Sequence, residues 1–298
     1  MINEKLVNYE IAKNHHYIHL SPLERPVRKG ARKLAVERTY KIKDKNVNLT
    51  VSMFKELDAA DIDLLITLLA IGLKSTEVES NNLIEEKTQI IEKRITAETS
   101  ELIEYNKLKI KIQQIFENIN NLITFKISAY ELLKELGKTK GKANYKWLEE
   151  SLKRLSHTTI TIDTPLLLAS TPLLYFAMLK EEQKIKITLN PINSFVILGN
   201  SQGYILINRK ERLSLKKEVS KILHSVLISL INPKQTKKIE IDTLVKKVYK
   251  NEDTFDNLNY EKKKEMRKKI KEALKEIDTL LENWKITIDR KAAIISRT

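Results

Sequence analysis

An α+β fold built from one supersecondary unit used twice is predicted by three observations. Two stretches of the chain run through the same order of elements, each stretch closes on alternating apolar and polar residues, and only six Gly and six Pro interrupt 298 residues. That length suits two domains of roughly 100 to 200 residues each, and 42% hydrophobic content is enough for packed cores. General disorder is therefore excluded. Cys is absent, which excludes disulfide scaffolds, thiolate zinc sites and Cys nucleophiles. The longest apolar run, Leu64 to Leu73, is about half of the ~20 residues a bilayer span needs. No charged-then-apolar signal opens the chain, so a cytoplasmic protein with no membrane partner is expected.

Residues 1–24 are polar and unpatterned and predict a flexible N-terminal segment. A first domain over 25–190 begins with a basic stretch ending in Thr39–Val51, where alternation at Val47, Leu49 and Val51 predicts a strand. Asp58, with Asp61 three residues on, opens a helix whose Ile62, Leu65, Ile66, Leu69 and Leu73 predict burial. Residues 74–122 are highly charged with loosely helical Ile and Leu spacing and are expected to be an insertion or a dimerisation element. Then come a strand at Ile123–Ile127 and Ser128-Ala129-Tyr130-Glu131, a capping-box spacing that opens a short helix ended by Gly137. A helix at about Asn144–Ser156 buries Trp147, Leu148, Ser151, Leu152 and Leu155. Its other face carries Tyr145, Lys146, Glu149, Lys153 and Arg154. Strands follow at Thr158–Ile162 and Lys184–Leu189, with Leu166–Leu179 between them as further strand or turn.

A second domain over 191–298 repeats that order. An apolar stripe from Leu215 to Ile231 is stopped by Pro233; a short strand at Lys238–Ile241, a short helix at Asp242–Tyr249 and a long helix at Tyr260–Asn283 follow. Trp284–Asp289 and Ala292–Ser296 then form a hairpin with Arg290 and Lys291 at its tip. Ile160-Thr161-Ile162-Asp163 is identical to Ile286-Thr287-Ile288-Asp289, and each follows an amphipathic helix. Three helices closed by a β-hairpin is the winged-helix form of the helix-turn-helix, so two tandem winged-helix domains are predicted.

The formal charge of +15 is concentrated in three windows. Arg25–Lys45 carries +7, Lys138–Lys146 carries +4 and Glu261–Lys271 carries +5, leaving the rest of the chain near neutral. A polyanion partner follows from that clustering, and in this fold pattern the polyanion is double-stranded DNA. Lys138, Lys140 and Lys142 lie in the turn before the third helix of the first unit, with Asn144, Tyr145, Lys146, Lys153 and Arg154 on the helix itself. Lys262, Lys263, Lys264, Arg267, Lys268 and Lys271 lie in the first turns of the equivalent helix of the second unit, and Arg290 and Lys291 at the hairpin tip. Arg267 is the best candidate for base reading, because its planar fork suits guanine O6 and N7; most of the others are expected on phosphates.

Chemistry has no comparable signal. Gly137-Lys138-Thr139 resembles the end of a phosphate-binding loop, but Leu132 stands where its first Gly belongs. His15, His16 and His19 lie in the unpatterned segment and do not form the His-hydrophobic-His of a nickase metal site. No Ser-His-Asp arrangement is visible, so no enzyme activity, cofactor or metal is expected. Trp147 and Trp284 are expected as core anchors and not as base-stacking platforms.

The chain resembles a known family, the replication protein C initiators of IncQ-type plasmids. The resemblance is carried by Leu189-Asn190-Pro191 through Ile205–Ile207, Leu223-His224-Ser225, Ile231-Asn232-Pro233, Ile241-Asp242-Thr243-Leu244 and Met266-Arg267-Lys268-Lys269. It extends more loosely to the early His-rich segment, Thr39-Tyr40, Leu57–Gly72 and Ser128–Gly137, and leaves out residues 74–122. It implies a protein without enzymatic activity that binds directly repeated iterons at a plasmid origin. It further implies opening of an adjacent A·T-rich stretch, recruitment of helicase and primase, and side-by-side or dimeric assembly on DNA. A dimeric winged-helix transcriptional regulator is the alternative, and an origin nickase or primase a more distant one.

Overall fold

The computed structural model describes residues 11–15, 23, 26–27, 32–42, 47–79, 122–164, 167–197, 204–249 and 255–298. Of the predicted insertion, only residues 74–79 and 122 fall among them; residues 80–121 lie outside. His16 and His19 also lie outside the described residues.

The first 21-residue helix, α1 (Ala59–Glu79), is the hub of the molecule. Asp58 accepts from the Asp61 N–H at 3.0 Å while the Asp61 carboxylate accepts from the Asp58 N–H at 3.2 Å, so the predicted start is a reciprocal cap. Leu64, Leu65, Ile66, Leu68, Leu69 and Ala70 are all buried, because α1 is packed on nearly every side. Gly72 admits β8 (Lys184–Leu189) at close range: a Cβ there would stand 2.8 Å from Leu189 Cδ1.

The described residues form four antiparallel sheets. Strand β1 (Ile11–His15) pairs with β9 (Tyr204–Asn208). Residues 11–15 do not belong to a flexible segment: they fill the edge of β9, and Ala12 is fully buried. The second sheet has the order β2-β3-β5-β6, from β2 (Leu34–Ile42), β3 (Val47–Lys55), β5 (Thr158–Thr164) and β6 (Leu167–Pro172). The third has the order β4-β8-β7, with β4 (Thr124–Ser128) and β7 (Leu174–Leu179). The fourth has the order β10-β12-β11, from β10 (Gln235–Glu240), β11 (Trp284–Ile288) and β12 (Ala292–Arg297).

The third and fourth sheets repeat one topology, each with a strand from before two helices paired to the second arm of the hairpin that follows them. In the N-terminal unit those helices are α2 (Ala129–Glu135) and α3 (Lys142–Ser156). Ser128 and Glu131 make the predicted capping box, and Gly137, at φ +67°, ends the α2 segment in the left-handed region. After the short α4 (Pro191–Ile197) and α5 (Arg209–Ser214), the C-terminal unit is built on α6 (Glu218–Leu230), α7 (Ile241–Tyr249) and α8 (Tyr260–Leu280). The repeated tetrapeptide does not mark equivalent strands. Ile160–Asp163 lies in β5, inside the four-stranded sheet, whereas Ile286–Ile288 lies in β11 at the edge of the fourth. The N-terminal unit carries an additional hairpin, β5–β6, between α3 and the β7–β8 hairpin that matches β11–β12.

Buried ion pairs join the units. Asp63 of α1 accepts from Arg212 Nε of α5 at 2.7 Å and also pairs with Lys221 of α6. Arg212, only 1% exposed, further bonds the Ser225 hydroxyl. Arg209 reaches the end of α2, donating to the Glu135 carboxylate at 2.6 Å and to its carbonyl at 2.7 Å. Within the C-terminal unit Glu211 accepts from His224 Nε2, Asn283 Nδ2 and the buried Trp284 Nε1. Burial raises its pKa, but those donors outweigh burial and hold it down to about 2.

Candidate nucleic-acid interface

The C-terminal unit presents its cations on α8 and at the β11–β12 turn. Asn259 caps α8, accepting from the Lys262 N–H at 2.9 Å, and so fixes where the basic turns begin. Lys262, Lys264 and Lys268 are exposed; Lys263, Arg267 and Lys271 are half-buried. Lys263 donates to the Asp256 carbonyl at 2.8 Å and stands 5.7 Å from the centre of the buried Phe255 ring. Lys271 donates to the Arg290 carbonyl at 3.0 Å, tying the helix to the hairpin tip, where Arg290 and Lys291 are both exposed. A groove of about 490 Å³ along α8 is lined by Tyr260, Lys264, Arg267, Lys268, Lys271 and Lys275, with Glu272. Tyr260, 68% exposed, and Lys275 are additions to the predicted set. An aromatic residue opening a basic helix was the available signal for Tyr260.

Arg267 is engaged rather than free. Its Nε donates to Asp242 Oδ1 at 2.6 Å and its Nη2 to Oδ2 at 2.7 Å. The hydrogen bond from Arg267 is the main reason the Asp242 carboxyl titrates below its ordinary range, and the same bond raises the pKa of Arg267.

In the N-terminal unit the cations gather in the turn between helices. Lys138 lies 4.2 Å from the centre of the Trp147 ring and Lys140 5.3 Å from that of Tyr130. Lys142 is the first residue of α3 and not part of the turn. Asn144 donates to the Thr139 carbonyl at 2.8 Å, bracing the turn against the helix. Tyr145 and Lys146 are exposed; Lys153 is exposed but bonded to Glu149 at 2.6 Å. Trp147, expected as a buried anchor, is half-buried beneath Lys138, whereas Trp284 is fully buried.

Arg154 departs from its expected place. Expected on the outer face, it is buried and donates through Nε and Nη2 to Asp61, which has no exposure and also accepts from Ser151 and Arg32. Burial raises the pKa of Asp61, yet the bonds and charge of Arg154, with help from Ser151 and Arg32, bring it below the ordinary value. A carboxylate buried in α1 needs such a partner, so Arg154 is committed to the core. The Arg25–Lys45 window is likewise partly internal: Arg32 pairs with Asp58 and Asp61, and Arg38 with Glu56.

No group of three or more His, Asp or Glu side chains among the described residues could hold a metal ion. None of the described helices is long and apolar enough to cross a membrane.

Fold and basic faces together define the class, an α+β protein of two helix-helix-hairpin units with cations on the second helix or the turn before it. The replication protein C (RepC) family model matches residues 9–295, and the chain belongs to that family. No curated protein matches the chain. Among solved structures it is similar to domains 2 and 3 of RctB, at 11% identity and TM-score 0.51, covering 95% of this chain and 97% of that one. The selenomethionine derivative of the same two domains gives 9% identity, TM-score 0.50, and coverage of 95% and 98%. At such identity the likeness is one of fold. A crystal structure of the Pi initiator protein with iteron DNA is 15% identical at TM-score 0.42, covering 58% of this chain and 79% of that one.

Proposed function

We propose that this replication protein is a non-enzymatic plasmid initiator whose two units are winged-helix modules that bind directly repeated iteron DNA at the origin. The observation that carries this reading is the C-terminal unit: exposed Lys264 and Lys268 line one groove with Lys271, which ties the helix to a cationic hairpin tip. Exposed cations at the start of such a helix meet phosphates and base edges, while a cationic hairpin tip reaches the flanking backbone. Membership of the replication protein C family supports an origin as the target. Two modules on one chain would occupy major grooves about one turn, roughly 34 Å, apart on one face of a duplex. Several molecules side by side would bend the origin, and the deformation would fall on weakly stacked pyrimidine-purine steps of an A·T-rich tract. Helicase and primase would then load on the opened strands. The protein would work in the cytoplasm and need neither cofactor nor metal.

Selection from random duplexes, followed by footprinting, tests this reading. The expected site spans about two turns and works as a direct repeat, and with about eight phosphates neutralised log Kd varies with log salt with a slope of magnitude about 7. An inverted-repeat site would make the protein a dimeric regulator instead. Metal-dependent cleavage or primer synthesis on origin DNA would make it an enzyme.

A further inference from the structure

Resting on the duplex-binding reading, we infer that Asp242 is a positioning residue that holds Arg267 with one edge of its guanidinium set to read a guanine. Asp242 lies in the first turn of α7 and Arg267 in α8, so the pair bridges these two helices. The contacts are bidentate and short, 2.6 Å from Nε and 2.7 Å from Nη2. A guanidinium carries five N–H groups in one plane. Asp242 takes the Nε–H and the Nη2–H beside it. The remaining Nη2–H and its parallel Nη1–H form the end edge of the fork, two donors with the spacing that guanine O6 and N7 accept. Adenine offers a donor in place of O6, so the same edge rejects it.

The surroundings hold the group in that attitude. The guanidinium carbon stands 6.0 Å from the centre of the buried Phe255 ring. Arg267 is 37% exposed and lines the groove beside Lys264 and Lys268, so its free edge is reachable from the face that the lysines would set on phosphates. Neutralising one cation in that face adds nothing to phosphate attraction, and exposed ion pairs add little to stability. What the pair does supply is a fixed orientation in place of a flexible one.

The test uses the full chain and random-core duplexes of about two turns, roughly 21 base pairs, with wild type, Asp242→Ala, Asp242→Asn and Arg267→Ala. The wild-type consensus should contain a guanine whose replacement by adenine or 7-deazaguanine weakens binding about tenfold or more. Arg267→Ala should erase that preference at that base alone. Asp242→Ala should reduce it several-fold and Asp242→Asn less, with affinity for random duplex equal to or above wild type. Retention or sharpening of the guanine preference in Asp242→Ala overturns the inference, since the carboxylate would then be a restraint on Arg267. Absence of wild-type binding to any duplex overturns the initiator reading as well. Binding without a guanine preference sensitive to Arg267 overturns this inference alone.

Discussion

The N-terminal and C-terminal units order three strands identically, β4-β8-β7 and β10-β12-β11, and differ in where their charge is placed. The C-terminal unit sets cations along the first turns of α8 and at the tip of its hairpin, Arg290-Lys291. In the N-terminal unit Arg154 is internal, Lys153 is paired with Glu149, and the β7–β8 tip reads Lys180-Glu181-Glu182-Gln183, with Glu182 bonded to Lys126 at 2.9 Å. Its cations sit mainly in the Gly-flanked turn, over the rings of Trp147 and Tyr130. The difference teaches that a shared framework fixes where side chains can be presented and not which sign is presented there. On the proposed reading the C-terminal unit would supply sequence reading and most of the affinity, and the N-terminal unit spacing and a second grip.

The strongest way to break the comparison is to separate the units. Asp63 pairs with both Arg212 and Lys221, drawn from the C-terminal half, inside the shared core. Replacing it by Asn removes the buried carboxylate from both pairs, at a cost of about 3–5 kcal/mol. Denaturant unfolding should show a midpoint far below wild type. A loss under 1 kcal/mol would mean that the Asp63 pairs contribute little to the coupling of the units.

Next in size is the loss of cations from each unit. Lys262, Lys263 and Lys264 changed together to Ala should reduce the magnitude of the salt slope by about 3 and weaken duplex binding on the order of 100-fold at physiological salt, since each phosphate contact contributes ~0.9 to the slope. The matching change at Lys138, Lys140 and Lys142 should reduce the slope by about 1 to 2. Lys138 and Lys140 stand 4.2 and 5.3 Å from the centres of their aromatic rings, closer than the 5.7 and 5.9 Å of Lys263 and Lys264 from theirs. Equal effects in the two variants, measured by titration across salt concentrations, would remove the asymmetry claimed for the units.

Local patterns made the elements legible in sequence, and distant partners hid the exceptions. The caps at Asp58 and Ser128, the turn at Gly137, the stripe of α6 and the β11–β12 hairpin all depend on residues within a few positions of one another. Strand β1 was missed because its partner, β9, is nearly 200 residues away. Arg154 was misplaced for the same reason. Its spacing after the buried Ser151 places it on the same side of α3, but nothing near it announces Asp61, and a basic residue reads as an outer-face residue unless the buried carboxylate is known. The Ile-Thr-Ile-Asp echo misled in the opposite way: a short β-branched run marks strand propensity, and topology, not propensity, decides which sheet receives it. The basic turns were visible; that Asp242 occupies the fork of Arg267 was not, because the two lie on successive helices with an intervening turn.

The smallest effect sharpens the contrast between the two turns. Gly137 adopts φ +67°, and a Cβ placed there would find no atom within 4 Å, so Gly137→Ala should cost only the backbone penalty of that conformation, roughly 1–2 kcal/mol. In a chain of this size that corresponds to a fall in Tm of about 2–4 °C. The C-terminal turn contains no glycine and is closed by the Phe255–Asn257 helical turn and the Asn259 cap, so it has no equivalent sensitivity. Because Lys138 follows Gly137 directly and donates its N–H to the Leu133 carbonyl at 2.8 Å, the variant also asks whether the turn must hold its shape to bind. An unchanged salt slope together with the small fall in Tm would mean that the N-terminal lysines act as mobile charges. A slope reduced by about 1 would mean that the turn presents at least one of them in a fixed place, as α8 does in the C-terminal unit.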